Sequence, residues 1–147
     1  MAKVVENQLN KDWSSLDVRT KDVVTRRIDN LGFWGEQWRM HGTCSVSLLD
    51  QFEYFSKALK IYNTINVRNM LQKENVIPGG TPVDTKAISS AIQNQLKLKP
   101  QIRCRLMQNQ FYLYEIGLCL TASKDPEFID CKAEFAGCSI HQKVYFF

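Results

Sequence analysis

The sequence predicts an α+β fold in which a central antiparallel sheet packs against several helices. Three observations predict it. Leu48, Phe52, Phe55, Leu59 and Tyr62 recur at spacings of three and four, so the run 45–63 reads as a helix with one apolar stripe facing a core. Ile88, Ile92 and Leu96 repeat the pattern after Asp84 or Thr85, either of which can cap a helix, and Pro100 bars its continuation. From Ile102 the character changes. Residues 102–106 and 111–120 read as strands joined by a turn at Gln108-Asn109-Gln110, and 144–147 as a closing strand. The segment FYLYEIGLCL is almost wholly apolar or aromatic, which places it at the centre of the sheet with little exposed face. Glu115 within it would then need a buried partner.

The remaining segments are connections. MAKVVENQLNKDW has no apolar heart, so it reads as a polar lead-in and not as a secretory signal peptide. The polar stretch 18–28 leads to an aromatic cluster of Phe33, Trp34 and Trp38. Residues 66–72 suggest a short helix, and Pro78-Gly79-Gly80 a loop. With no repeat or linker, residues 1–147 read as a single domain. A hydrophobic fraction of 44% and a charged fraction of 23% describe a folded chain. The net charge of +4 attracts polyanions without demanding one. No apolar run reaches the about 18 residues that a membrane-spanning helix needs.

Cys104, Cys119, Cys131 and Cys138 cluster in the last third, while Cys44 stands alone. The cluster reads as a disulfide framework, which requires an oxidising compartment. Zinc is the rival reading, but no close C-x-x-C pair supports it. No N-x-S/T glycosylation signal occurs; Asn63-Thr64-Ile65 and Asn69-Met70-Leu71 both fail.

Chemistry concentrates in residues 33–44, FWGEQWRMHGTC. If 34–41 is helical, side chains four apart share a face: Glu36 with Met40, Gln37 with His41, Trp34 with Trp38. Such a helix presents Glu36, Gln37, Met40 and His41 to one cleft and anchors itself by the tryptophans, and Gly42 lets the chain turn out of it. On these residues alone, His41 is a lone histidine beside polar groups, most often a structural or surface residue.

This stretch resembles the second active-site segment of the ribonuclease T2 family, FW-x-H-E-W-x-K-H-G-T-C. Phe33, Trp34, Trp38, His41, Gly42, Thr43 and Cys44 match in register. NKDWSSL resembles the family's L-x-x-x-W-P-x-L approach, with Ser14 where proline is usual. PQIRC, EIGLC and IDC resemble the C-terminal half of the plant S-RNases. The resemblance implies a ribonuclease T2-type fold lacking its N-terminal strands, an extracellular location and pairing of Cys104 with Cys138 and of Cys119 with Cys131. It leaves Cys44 to a partner upstream of residue 1. It also implies single-stranded RNA as partner, no cofactor, no metal, no membrane, a monomer, and room for a protein recognition partner as in S-RNases.

Family members make the RNA 2′-hydroxyl attack its own phosphorus, giving a 2′,3′-cyclic phosphate. Two histidines move the protons, and a cation with a further donor stabilises the phosphoryl charge. His41 corresponds to one of these histidines. The other belongs to an H-G-L-W-P segment that the 147 residues do not contain, and His141 lies outside any matching motif. Gln37 stands where the family has Glu, Met40 where it has Lys, and Glu36 where many members have a phosphate-contacting His. Losing one acid or base costs about 10²–10⁴ in rate, and losing a stabilising charge about 10²–10³, although such effects overlap. The expectation is therefore an endoribonuclease weakened or inactive. The alternatives are a non-catalytic RNA-binding, storage or recognition protein, or a pseudogene-like fragment.

Overall fold

The computed structural model describes residues 3–15 and 23–146, so the polar stretch at 18–28 falls partly outside them. These residues group into two compact units, Met1–Ile65 and Asn66–Phe147.

The first unit is helical. Its core is Leu9, Trp34, Phe55 and Leu59, each buried, with Val5, Trp13, Phe33, Trp38 and Tyr54 packed around them. The N-terminal lead-in is in fact a helix, α1 (Lys3–Asp12), whose single buried residue is Leu9. Docking makes up for its polar sequence. Buried Asn30, on α2 (Val23–Gln37), donates from Nδ2 to Asn10 Oδ1 at 2.7 Å and accepts from the Ser15 amide at 2.8 Å. Trp34 Nε1 donates to the Trp13 carbonyl at 2.7 Å. The next long helix, α3 (Gln51–Thr64), starts later than the periodicity suggests, because Asp50 and Glu53 form a reciprocal capping box. Its stripe is only half used: Phe55 and Leu59 are buried, whereas Leu48, Phe52 and Tyr62 are exposed.

The second unit holds the sheet. Helix α4 (Val67–Lys73) is capped by Asn66, and α5 (Thr85–Leu96) by Asp84, which accepts from the Lys86 amide at 2.8 Å. Among the described residues seven strands follow in chain order: β1 (Gly79–Asp84), β2 (Gln101–Met107), β3 (Gln110–Gly117), β4 (Cys119–Leu120), β5 (Phe128–Ile129), β6 (Phe135–Ala136) and β7 (Lys143–Phe146). Five form one sheet in the order β1-β7-β3-β2-β6, and β4 pairs with β5 separately. The α+β class is as expected. The large sheet, however, is mixed: β1–β7 and β2–β3 are antiparallel, β2–β6 and β3–β7 parallel. Leu71, Val76, Ile88, Ala91, Ile92, Ile102 and Val144 form the core between the sheet and α4 and α5.

Two details correct the sequence reading. Only Pro78 precedes β1; Gly79 and Gly80 are its first residues, in an edge strand where proline and glycine are tolerated. And β3 is central but not enclosed. Its register with β2 shifts between Arg103↔Glu115 and Cys104↔Leu113, which leaves Tyr114 as the extra residue of a β-bulge. Leu113 and Ile116 pack on the core, three positions apart, while Tyr114 and Glu115 between them are both exposed. Glu115 needs no buried partner; it meets Arg103 at 3.5 Å at the surface.

The hairpin turn between β2 and β3 is two residues long. Gln108 (φ 49°) and Asn109 (φ 61°) are both left-handed, the backbone of a type I′ turn. Disulfides join Cys104 to Cys138 and Cys119 to Cys131, and Cys44 is free and exposed.

Candidate active site

The chemistry-bearing segment straddles a change of helix type. Helix α2 ends at Gln37, and residues Trp38–Gly42 form a π turn in which the Thr43 amide donates to the Trp38 carbonyl. A short 3₁₀ turn, Thr43–Ser45, follows. A π turn widens the repeat, so the four-apart stacking expected for 34–41 does not carry through it. The tryptophans do anchor the segment: Trp34 is buried, and Trp38 packs edge-to-face on Tyr54 with ring centroids 5.5 Å apart.

Gly42 is a glycine for a different reason from the one its position suggests. Its backbone is ordinary right-handed (φ −96°, ψ −30°), so no left-handed turn requires it. The Trp38 ring lies over it instead: a β-carbon there would stand 2.1 Å from Trp38 Cε3 and 2.7 Å from Cζ3. The pair Trp38 and Gly42 is thus one packing unit. Around it, Thr43 Oγ1 donates to the Arg39 carbonyl at 3.0 Å and Ser45 Oγ to the Gly42 carbonyl at 2.6 Å.

Glu36 faces Arg39, not Met40. The guanidinium grips the carboxylate with two nitrogens, Nε to Oε2 at 2.9 Å and Nη2 to Oε1, and Nη2 also meets Met40 Sδ at 3.2 Å. Hydrogen bonding from Arg39 holds the Glu36 carboxyl below its usual range, against the opposing pull of desolvation. A guanidinium thus lies against the Met40 side chain, where the resemblance expects a lysine. Sequence reasoning passed over Arg39 although Glu and Arg three apart on a helix are natural partners. It also passed over Tyr54, whose hydroxyl pKa is raised by burial first and then by the neighbouring Cys44.

His41 and Met40 are exposed, and Gln37 is half-buried. Among the described residues no hydrogen bond or ion pair reaches the His41 ring, and its carbonyl accepts from Cys44 Sγ at 3.5 Å. His141 belongs to the second unit, where Nδ1 stands 3.3 Å from Asp84. Among the described residues no group of three His, Cys, Asp or Glu side chains could hold a metal ion, and no helix is long and apolar enough to cross a membrane.

Fold and site together define a disulfide-bonded α+β protein that presents one histidine to solvent from a tryptophan-anchored π turn. The model of the Ribonuclease T2 family matches residues 1–131. Ribonuclease S-3 of Pyrus pyrifolia is 33% identical over 143 residues, covering 95% of this chain and 60% of that protein. A ribonuclease-like storage protein of Panax ginseng is 28% identical over 130 residues, covering 88% of this chain and 51% of that protein. Among solved structures, ribonuclease MC1 from bitter gourd seeds superposes with a TM-score of 0.80 at 26% identity, over 97% of this chain and 69% of that one. The chain belongs to the ribonuclease T2 family, with S-RNases among its relatives. It spans about half the length of the curated relatives it matches: 40%, 51% and 53% in three of them.

Proposed function

We propose that the chain is a single ribonuclease T2-type domain acting on single-stranded RNA, and that its 147 residues alone cleave weakly or not at all. His41 is one of the two proton-transfer groups. Gln37 is a neutral hydrogen-bond donor in place of the family's carboxylate, and Glu36 and Met40 occupy phosphate-facing positions. The supporting observation is the His41 turn itself, with an exposed imidazole on a scaffold fixed by Trp34, Trp38 and Gly42.

The reaction needs a base for the 2′-hydroxyl proton and an acid for the departing 5′-oxygen. His41 supplies one of them. Arg39, two residues from His41 in the chain, is held by Glu36, so a phosphate must compete with a carboxylate for it. Both features slow the chemistry. The two disulfides fit an oxidising, extracellular setting, with the protein a monomer.

The test is cleavage of a labelled single-stranded RNA by the 147-residue protein beside a full-length relative, with cyclic-phosphate product measured. The expected rate is at least about 10²-fold below the relative. Cleavage at the relative's rate, abolished by His41→Ala, would overturn the reading. A second reading, a non-catalytic RNA-binding, storage or recognition protein, draws on the likeness to the ginseng storage protein; it expects a stable fold that binds RNA without cleaving it.

A further inference from the structure

The open face of the large sheet carries two arginines and three tyrosines in neighbouring rows. Arg105 on β2 pairs in register with Tyr112 on β3, and Tyr112 with Tyr145 on β7. One row therefore crosses three strands. The Tyr112 and Tyr145 rings lie 5.8 Å apart. One step along, the Arg105 guanidinium sits 4.4 Å from the centroid of the Tyr114 ring, which is 60% exposed. Beyond it Arg103 faces Glu115 at 3.5 Å, both side chains half exposed. The bulge puts Tyr114 and Glu115 on this face together. None of these residues belongs to the His41 segment.

We propose that this face is a second, non-catalytic contact surface for single-stranded RNA. Exposed rings stack on bases of any sequence, and guanidiniums supply the charge that phosphates seek. Among the described residues the Arg105 guanidinium meets no carboxylate, so it is available to a phosphate. A protein partner fits less well. Covering the face would take Arg103, Arg105, Glu115 and the tyrosine hydroxyls out of water, at a desolvation cost that an apolar surface cannot offset. Glu115 opposes a polyanion, and that supplies a signed test: removing its charge should strengthen binding.

The probe is a fluorescein-labelled 2′-O-methyl-uridine decamer, which has no free 2′-hydroxyl and cannot be cleaved. Binding to the 147-residue protein is read by fluorescence anisotropy. Tyr114→Leu is expected to weaken binding roughly five- to a hundredfold, while Tyr114→Phe retains it. Arg105→Gln should weaken binding and lower the slope of log Kd against log salt by about 0.7, and Glu115→Gln should tighten binding. Equal affinity for the parent and Tyr114→Leu overturns the proposal, as does loss of binding in His41→Ala alone, which places the RNA at the His41 segment. A dimer in sedimentation that Tyr114→Leu dissociates without altering RNA affinity also overturns it. Should Tyr114→Leu fail to fold by circular dichroism, the opposite signs expected of Arg105→Gln and Glu115→Gln decide.

Discussion

Gly42→Ala tests the packing that holds the histidine turn. The added methyl would meet Trp38 Cε3 at 2.1 Å, Cζ3 at 2.7 Å and Cδ2 at 2.9 Å. These are ring atoms of a side chain already wedged against Tyr54, so the whole indole must move. Overpacking of this kind costs about 1–3 kcal/mol. Losing the edge-to-face contact with Tyr54 adds about 0.5–1.5 kcal/mol. The expected destabilisation is about 2–4 kcal/mol, a fall of about 1–2 M in the urea midpoint for an m-value near 2 kcal/mol/M. Tryptophan fluorescence and near-UV circular dichroism follow the transition and the ring's environment. A double-mutant cycle makes the cause specific. In a Trp38→Leu background the clash is absent, so Gly42→Ala should there be close to neutral. An equal cost in both backgrounds, or an unchanged midpoint in the single variant, would refute the argument that ring contact dictates this glycine.

Other expectations concern separate parts of the chain. Gly35 lies within α2, and a β-carbon added there would meet nothing within 4 Å, so Gly35→Ala should raise stability by about 0.5–1 kcal/mol in thermal unfolding. Asp84 feels burial, which raises its pKa, but the Lys86 amide, His141 and Lys143 together leave it lowered. A carboxyl lowered on folding contributes stability that is present above its unfolded pKa and lost as pH falls through the folded value. A melting series from pH 6 to pH 2 should therefore show a steeper acid loss in the parent than in Asp84→Asn. Asp84→Ala, which also removes the cap of α5, should cost about 1 kcal/mol near neutral pH. The disulfides close loops of different length, with separations of 34 and 12. Loop entropy makes Cys104–Cys138 worth about 4 kcal/mol and Cys119–Cys131 about 3 kcal/mol. Paired serine replacements measured in urea should keep that order.

The sequence carried much of this because its signals were local. The stripe through Ile88 and Ile92, the Asp84 cap and the strands about Gln108-Asn109 each follow from residues close in the chain, and each is found. The fixed spacing of Trp34, Trp38, His41 and Gly42 identified the family, and the disulfide pairing that the resemblance implied is the one observed. What escaped depends on distant partners. Helix α1 has one apolar anchor, Leu9, and needs Asn30 and Trp34 to hold it, which no window of its own residues reveals. The start of the strand, Gly79-Gly80, looked like a loop because glycine and proline are poor strand formers except at an edge, and edge position is a tertiary fact. The bulge at Tyr114 broke the alternation that made Glu115 look buried. In the candidate site the π turn upset a four-residue count, so Met40 was paired with Glu36 in place of Arg39.

The placement of the cysteines also bears on how the chain reaches its native state. Helical contacts form within microseconds to milliseconds, whereas disulfides take seconds to hours. The first unit holds one cysteine, the exposed Cys44, and the second holds both bridges. The histidine turn can thus be assembled while four other thiols are still unpaired. Any one of the five cysteines could be left over during oxidation, with three ways to join the remaining four. An accessible fifth thiol is a nucleophile for exchange with each new bridge. The yield of correctly joined protein will then be set less by the stability of the fold than by how well Cys44 is kept out of that traffic.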